Sequence, residues 1–490
     1  MSERLCLSER ARCATRVAAL MFGLLGVGVS SSAAQTPPRT TEWFARNLTR
    51  VESWRFFEPP PGGGDPTSTY VGTRFHFGVR RTERRVDLQA AGQFVQLGWL
   101  PEHATGPGPL GLGAVYYDHA GSTHPGEIYL KYLNARFRDV LPRLSVQVGR
   151  FGYTSGAEGV SGVAKIETVK RLRVDSRLIG EFEFSFFQRS FDGVRADYAR
   201  GRGRATGAVL LPTQGGFEED ANRSLTDVVV LNGALTLAPG APIPHTEWQI
   251  FSARYDDDRR VTGRPDNTGV SAAAADVHVT TFGTTLITSH RLGRGELDAL
   301  GWFAVQTGRW YEQDHRAHAL AMEAGYQWLS ARGRPWVRGG WLTSSGDRDP
   351  ADGRHETFFQ MLPTVRRYSQ SATYSQMNLR DGFVQLLMSP VSRVSIRADL
   401  HRLTLTRAAD RWYFGSGATQ NEGRTFGFGT RASAGATDLG TALEGSADVR
   451  VLPRWTLGGY LGSIFGGKVV TRTFATDLLL FAFVESTIQF

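Results

Sequence analysis

The groups most able to do chemistry in this chain are guanidiniums. Of its 56 Lys and Arg residues only four are Lys (Lys131, Lys165, Lys170 and Lys468). A guanidinium presents a rigid fork of donors that grips a carboxylate or phosphate through two hydrogen bonds, whereas an ammonium is a mobile point charge. Several Arg recur at a spacing of two with other ionisable groups: Arg74 with His76, Arg195 with Asp197, and Arg393, Arg397, Asp399 and His401 in one run. On a strand, that spacing puts them on one face. With Glu444 they form the candidate site, and its chemistry is recognition of anions by a fixed wall, with no bond made or broken.

Catalytic patterns are absent or incomplete. No serine has glycine both two before and two after it, so there is no nucleophile elbow. His355-Glu356 lacks a second His four positions on, so it is not a zinc-protease helix. Asp347–Gly353 hints at a calcium loop, but Phe358 stands where the bidentate Glu belongs, and a polar turn is the better reading. Asp256-Asp257-Asp258 reads as a solvated loop tip. No metal, cofactor, enzymatic activity or nucleic-acid partner is expected.

The elements that must position these residues are strands. In the terminal stretch Asp477–Phe490, Leu480, Ala482, Val484, Ile488 and Phe490 share one face, while Glu485, Thr487 and Gln489 share the other. An alternating last strand that ends on an aromatic residue suits the closing strand of an outer-membrane barrel, read by assembly machinery through Phe490. Working backwards, tight turns alternate with long polar loops, giving an all-β, antiparallel up-and-down transmembrane barrel of about 18 strands. The first strand is expected at Leu48–Phe57, and one tight turn at Ser389-Pro390. The longest loop, Gly152–Gln188, is the candidate to fold over or into the mouth.

Alternation sorts the walls. Val71, Thr73, Phe75 and Phe77 face lipid, which turns Arg74 and His76 inward. By the same phase Arg195 and Asp197, then Arg393, Arg397, Asp399 and His401, and then Glu444 with Asp448 face the lumen, while Leu439 and Leu443 face out. Ile128–Phe137 does not phase cleanly. Trp302, Trp310, Trp328, Trp336, Trp341 and Trp455 are expected in interfacial girdles.

The amino-terminus has the marks of a signal peptide over residues 1–34: basic Met1–Arg16, a short apolar run Val17–Val29, then small residues up to Ala34. Both cysteines, Cys6 and Cys13, fall within it. Removing Glu3, Glu9, Arg4, Arg10, Arg12 and Arg16 takes the formal charge from +9 to +7. A periplasmic segment (35–46) and the barrel (47–490) follow.

Several short segments resemble the alginate-export family of outer-membrane proteins. They are Arg177-Leu178-Ile179-Gly180, Phe191-Asp192-Gly193-Val194-Arg195, the run His355–Thr364, His401-Arg402-Leu403 leading to Asp410-Arg411-Trp412-Tyr413, and Asp438-Leu439-Gly440. The resemblance implies a monomeric barrel whose Arg-rich lumen lets an anionic polyuronate leave the periplasm, with periplasmic export components as possible partners. The short turn at Leu452-Pro453 departs from it, leaving no room for a periplasmic lid there. The expected function is therefore a passive outer-membrane channel for an anionic polysaccharide. The alternatives are a general porin for small anionic solutes and, less favoured, a barrel enzyme.

Overall fold

The computed structural model describes residues 39–105, 112–216, 220–261, 263–264, 266–267, 275–364, 368–371, 373–415, 417–423 and 428–490. The expected signal peptide lies outside them. Eighteen long strands form the wall. They are β1 (Thr40–Arg55), β2 (Thr67–Thr82), β3 (Val86–Gly98), β4 (Gly126–Leu141), β5 (Leu144–Phe151) and β6 (Phe191–Arg200). Next come β7 (Gly203–Pro212), β8 (Val228–Leu237), β9 (Thr246–Asp257), β10 (Val277–Leu292), β11 (Gly295–Trp310) and β12 (Gln313–Trp328). The last are β13 (Trp336–Ser344), β14 (Leu379–Val391), β15 (Val394–Leu405), β16 (Asp438–Leu452), β17 (Trp455–Gly466) and β18 (Leu478–Gln489).

Each wall strand pairs antiparallel with its neighbours, and β1 pairs with β18 from Arg46↔Gln489 to Arg55↔Leu480. The ring is closed, so no wall strand is left as a sheet edge, which a lipid-facing sheet requires. Large apolar side chains point outward and are exposed, among them Phe282, Phe303, Val384, Leu400, Leu443 and Val484. A belt of this extent has no place in water and is satisfied by hydrocarbon. Inward neighbours such as Asp298, Glu323 and Asp399 are buried.

The wall departs from simple alternation in four places. β1 starts at Thr40, so Thr40–Arg46, expected in a periplasmic segment, already belongs to the wall. The β14–β15 turn is Ser392-Arg393, not Ser389-Pro390. Pro390 sits instead in a bulge between Met388 and Val391, where a missing N–H does no harm. Leu439 is buried in the core, not lipid-facing, because a register shift between Leu403 and Thr404 reverses its phase. Trp302, Trp310 and Trp336 are also buried on the inner side, while Trp328 and Trp341 are exposed outside, as girdle residues should be. Trp310 and Trp336 were misplaced because a strand position near the rim does not reveal which environment its face meets, whereas Trp302 lies mid-strand beside the outward-facing Phe303, so its inward phase follows from alternation.

Candidate functional site in the barrel lumen

The lumen is not bare. The connection between β5 and β6 turns inward, carrying helix α1 (Ala164–Arg173), and its Ile166 and Val169 are fully buried. A basic last turn (Lys170, Arg171, Arg173) suits the negative end of that helix. Gly72 on β2 lets the far end approach the wall: a Cβ there would lie 2.3 Å from Phe186 Cζ.

Both ends of this segment are tied to the wall, on opposite sides. On one side Lys170 Nζ lies 2.8 Å from Glu247 (β9), Arg173 Nε lies 2.9 Å from Glu323 (β12), and Lys165 Nζ donates to Gln327 at 2.8 Å. On the other, Arg50 Nη2 donates to the Phe184 carbonyl at 2.6 Å, and Arg74 Nη1 to the Ser185 carbonyl at 2.5 Å. Lys131 Nζ pairs with Glu181 at 3.0 Å.

A second segment, between β13 and β14, meets the first inside the ring. Ile179 and Leu362 form a parallel bridge, with Gly180 N donating to Leu362 O and Leu362 N to Leu178 O, both at 2.8 Å. Thr364 donates to Glu183, and Gln360 Nε2 to the Arg177 carbonyl at 3.0 Å. The loop between β15 and β16 joins through Asp410, which accepts from Thr357 Oγ1 at 2.6 Å and from Asp347 N at 2.8 Å. Phe358, Phe359, Met361 and Leu362 are buried with Ile179 in one apolar cluster.

The predicted site residues divide into three groups. Arg74, Arg195, Asp197, Arg397, Asp399, His401 and Glu444 face inward, but they meet partners rather than open water. Arg195 pairs with Asp197 at 2.9 Å, Arg397 with Asp399 at 2.5 Å, and His401 Nδ1 with Asp381 at 3.0 Å. Glu444 accepts from Ser369 and from Gln370 N, both on the second inserted segment. His76 lies edge-on to Phe44 and Tyr132. Asp448 shares Glu444's phase but is exposed. Arg393 does not belong to the lumen wall: it is exposed in the β14–β15 turn. The Asp347–Gly353 carboxylates serve their own loop, Asp349 accepting from Ala351 N and Asp352 from Arg354 N.

Alternation missed a second charged layer. Lys165, Arg173, Arg177 and Arg338 surround two carboxylates, Asp298 and Glu323. Arg173 Nη1, Arg177 Nε, Arg177 Nη1 and Arg338 Nε are buried without a hydrogen-bond partner among the described residues. Arg177 lies over Trp302 at 4.8 Å and over Tyr368 at 4.7 Å. Burial pulls the Lys165 ammonium down to about 8 despite Asp298. Beside this layer Lys170 is balanced by Glu167 and Glu247. A cavity of about 10 Å³, lined by Ser155, Glu158, Arg177 and Trp302, adjoins it, with room for about one water.

The segments that meet in the lumen are those singled out in the sequence: Arg177–Gly180, His355–Thr364 and Asp410–Tyr413. The family model for alginate export matches residues 170–469, more than half of the chain. The chain belongs to the alginate-export family. Among solved structures this family member is similar to a BenF-like porin from Pseudomonas fluorescens Pf-5, with TM-score 0.59, 10% identity, and 92% of this chain and 99% of that one covered. It is also similar to OccK11 (OpdR) of Pseudomonas aeruginosa, with TM-score 0.52, 10% identity and coverage of 92% and 96%. For OccAB3 of Acinetobacter baumannii the TM-score is 0.53, the identity 10% and the coverage 92% and 99%. Among curated proteins no match is found. At such identities these likenesses establish the fold. Family membership and a closed, porin-like barrel together support an outer-membrane channel.

Proposed function

We propose that this protein is a passive channel through which an anionic polyuronate of the alginate class leaves the periplasm. The observation that carries the reading is the layer of Lys165, Arg173, Arg177 and Arg338, whose ion pairs among the described residues are with two carboxylates, Asp298 and Glu323. A buried excess of guanidinium is costly unless an anion completes it, and a uronate carboxylate matches its fork geometry. Fixed positive charge in confined water lowers the barrier for anions and raises it for cations. The wall residues Arg195 and Arg397 contribute less to that field than their number suggests, because each already holds an Asp.

The test is the reversal potential of the purified barrel in planar bilayers under a salt gradient, with polyuronate then added on the periplasmic side. Anion preference and block by the polymer are expected, and Arg177→Gln should weaken both. A cation-selective pore would overturn the reading. Anion selectivity without polymer block would assign the chain to small anionic solutes instead.

A further inference from the structure

We propose that the inserted Gly152–Ser190 segment is a strap released by the polyanion itself, whose carboxylates replace the protein groups that hold it. The inference rests on the channel reading and adds a gate to it.

The first support is how the charges are distributed. On one side the strap contributes the cations (Lys170 and Arg173) and the rigid wall the carboxylates (Glu247 and Glu323). A mobile uronate presents the same chemical group as Glu247 and Glu323, so it competes for the same forks without any new kind of contact. The second support is unused donor capacity. Arg177 Nε and Nη1 and Arg173 Nη1 have no hydrogen-bond partner among the described residues, so a carboxylate entering this layer gains hydrogen bonds before any existing pair has to break.

The third support lies at the opposite end. There the wall supplies the cations: Arg50 donates to the Phe184 carbonyl while paired with Glu52 and Glu485, and Arg74 holds the strap through neutral backbone carbonyls, at Glu183 and Ser185. A hydrogen bond to a carboxylate is stronger than one to a neutral carbonyl, so an anion arriving there displaces the strap. The fourth support is steric. The Ile179–Leu362 bridge and its buried apolar neighbours lie across the ring, and the cavity beside Arg177 admits about one water. A sugar polymer passing between the two segments requires them to separate. The segments through which the chain resembles its family are the ones that meet at this closure.

The experiment uses Ile179→Cys in the mature barrel, with Leu362→Cys as a second reporter on the partner segment; both positions are fully buried. The rate of labelling by a small water-soluble thiol reagent is measured alone, with a short oligouronate, and with a neutral oligosaccharide of equal length. The oligouronate should speed labelling at both positions about tenfold, within the range that ligand coupling to a local opening usually reaches. The neutral sugar should leave it unchanged. Joint Glu247→Gln and Glu323→Gln should give fast labelling without any sugar; if that variant fails to fold, the wild-type comparison still decides. Unchanged labelling in a barrel whose current the polymer blocks would overturn the strap and spare the channel. Labelling that rises equally with both sugars would also overturn it, since release would then not depend on charge.

Discussion

Charge in this lumen is paired two residues apart. Arg50 with Glu52 (2.7 Å), Arg195 with Asp197 (2.9 Å) and Arg397 with Asp399 (2.5 Å) are neighbours on one strand face. The spacing is plain in the sequence, and its meaning was half legible: it fixes that both members point inward, but also that each neutralises the other. Breaking such a buried pair leaves an uncompensated charge. We therefore expect Asp399→Asn to destabilise the barrel by about 3–5 kcal/mol. The double change Arg397→Met with Asp399→Asn should recover most of that, read as urea midpoints in detergent. Additive losses would show that the pair is not coupled.

A second residue-scale prediction concerns Asp347, which is fully buried and whose Oδ2 has no hydrogen-bond partner among the described residues. Burial, together with the charge on Asp410, pushes its carboxyl up to about 7. A raised carboxyl favours the folded state while protonated. The contribution is complete below about pH 4, the ordinary range of a free Asp, and is lost as pH rises through about 7. Asp347→Asn should match the wild type in acid and hold the Ser345–Asn378 loop more firmly at pH 8, measured as resistance to proteolysis. A difference that grows towards low pH would contradict the sign.

At the scale of elements, strands were legible, and of the insertions only the inward turn of the longest loop, Gly152–Gln188, was, through its length. Alternation located the wall because successive strand residues meet lipid and lumen in turn, so each environment recurs at every second residue. It failed at bulges. In β4 the partner of Ala91 is Tyr132 and that of Gly92 is Leu130, so Lys131 is the extra residue. That irregularity blurred the phase of Ile128–Phe137 and hid a buried lysine that ties down the strap. Arg173 and Arg177 were missed for a different reason. They lie on a connection, where no strand period applies, and only the apolar spacing of Ile166 and Val169 hinted that its helix is buried. Excising 157–176 should raise single-channel conductance, because the wall ladder closes without that segment. It should also lower the unfolding midpoint, because Trp302, Trp336 and Phe251 lose part of their cover. Raised conductance at unchanged stability would mean that the segment only fills space.

For the whole molecule, strand number and closure were legible from the last strand backwards, since an even count brings both termini to the short-turn end. The closing contact is small. Phe490 N donates to Ala45 O at 2.8 Å, and the Phe490 ring is 64% exposed on the lipid-facing side. Its removal takes away one backbone hydrogen bond, a net effect of about 1 kcal/mol, too little to unfold a barrel closed by the β1–β18 ladder from Arg46↔Gln489 to Arg55↔Leu480. If Phe490 is also the feature read by the assembly machinery, its two roles separate by where folding happens. We expect deletion of Phe490 to leave refolding of the purified chain in detergent close to wild type. In cells, the same deletion should deplete the heat-modifiable band from outer membranes. Equal impairment in both settings would make Phe490 a part of the seam. No impairment in either would remove it from assembly altogether.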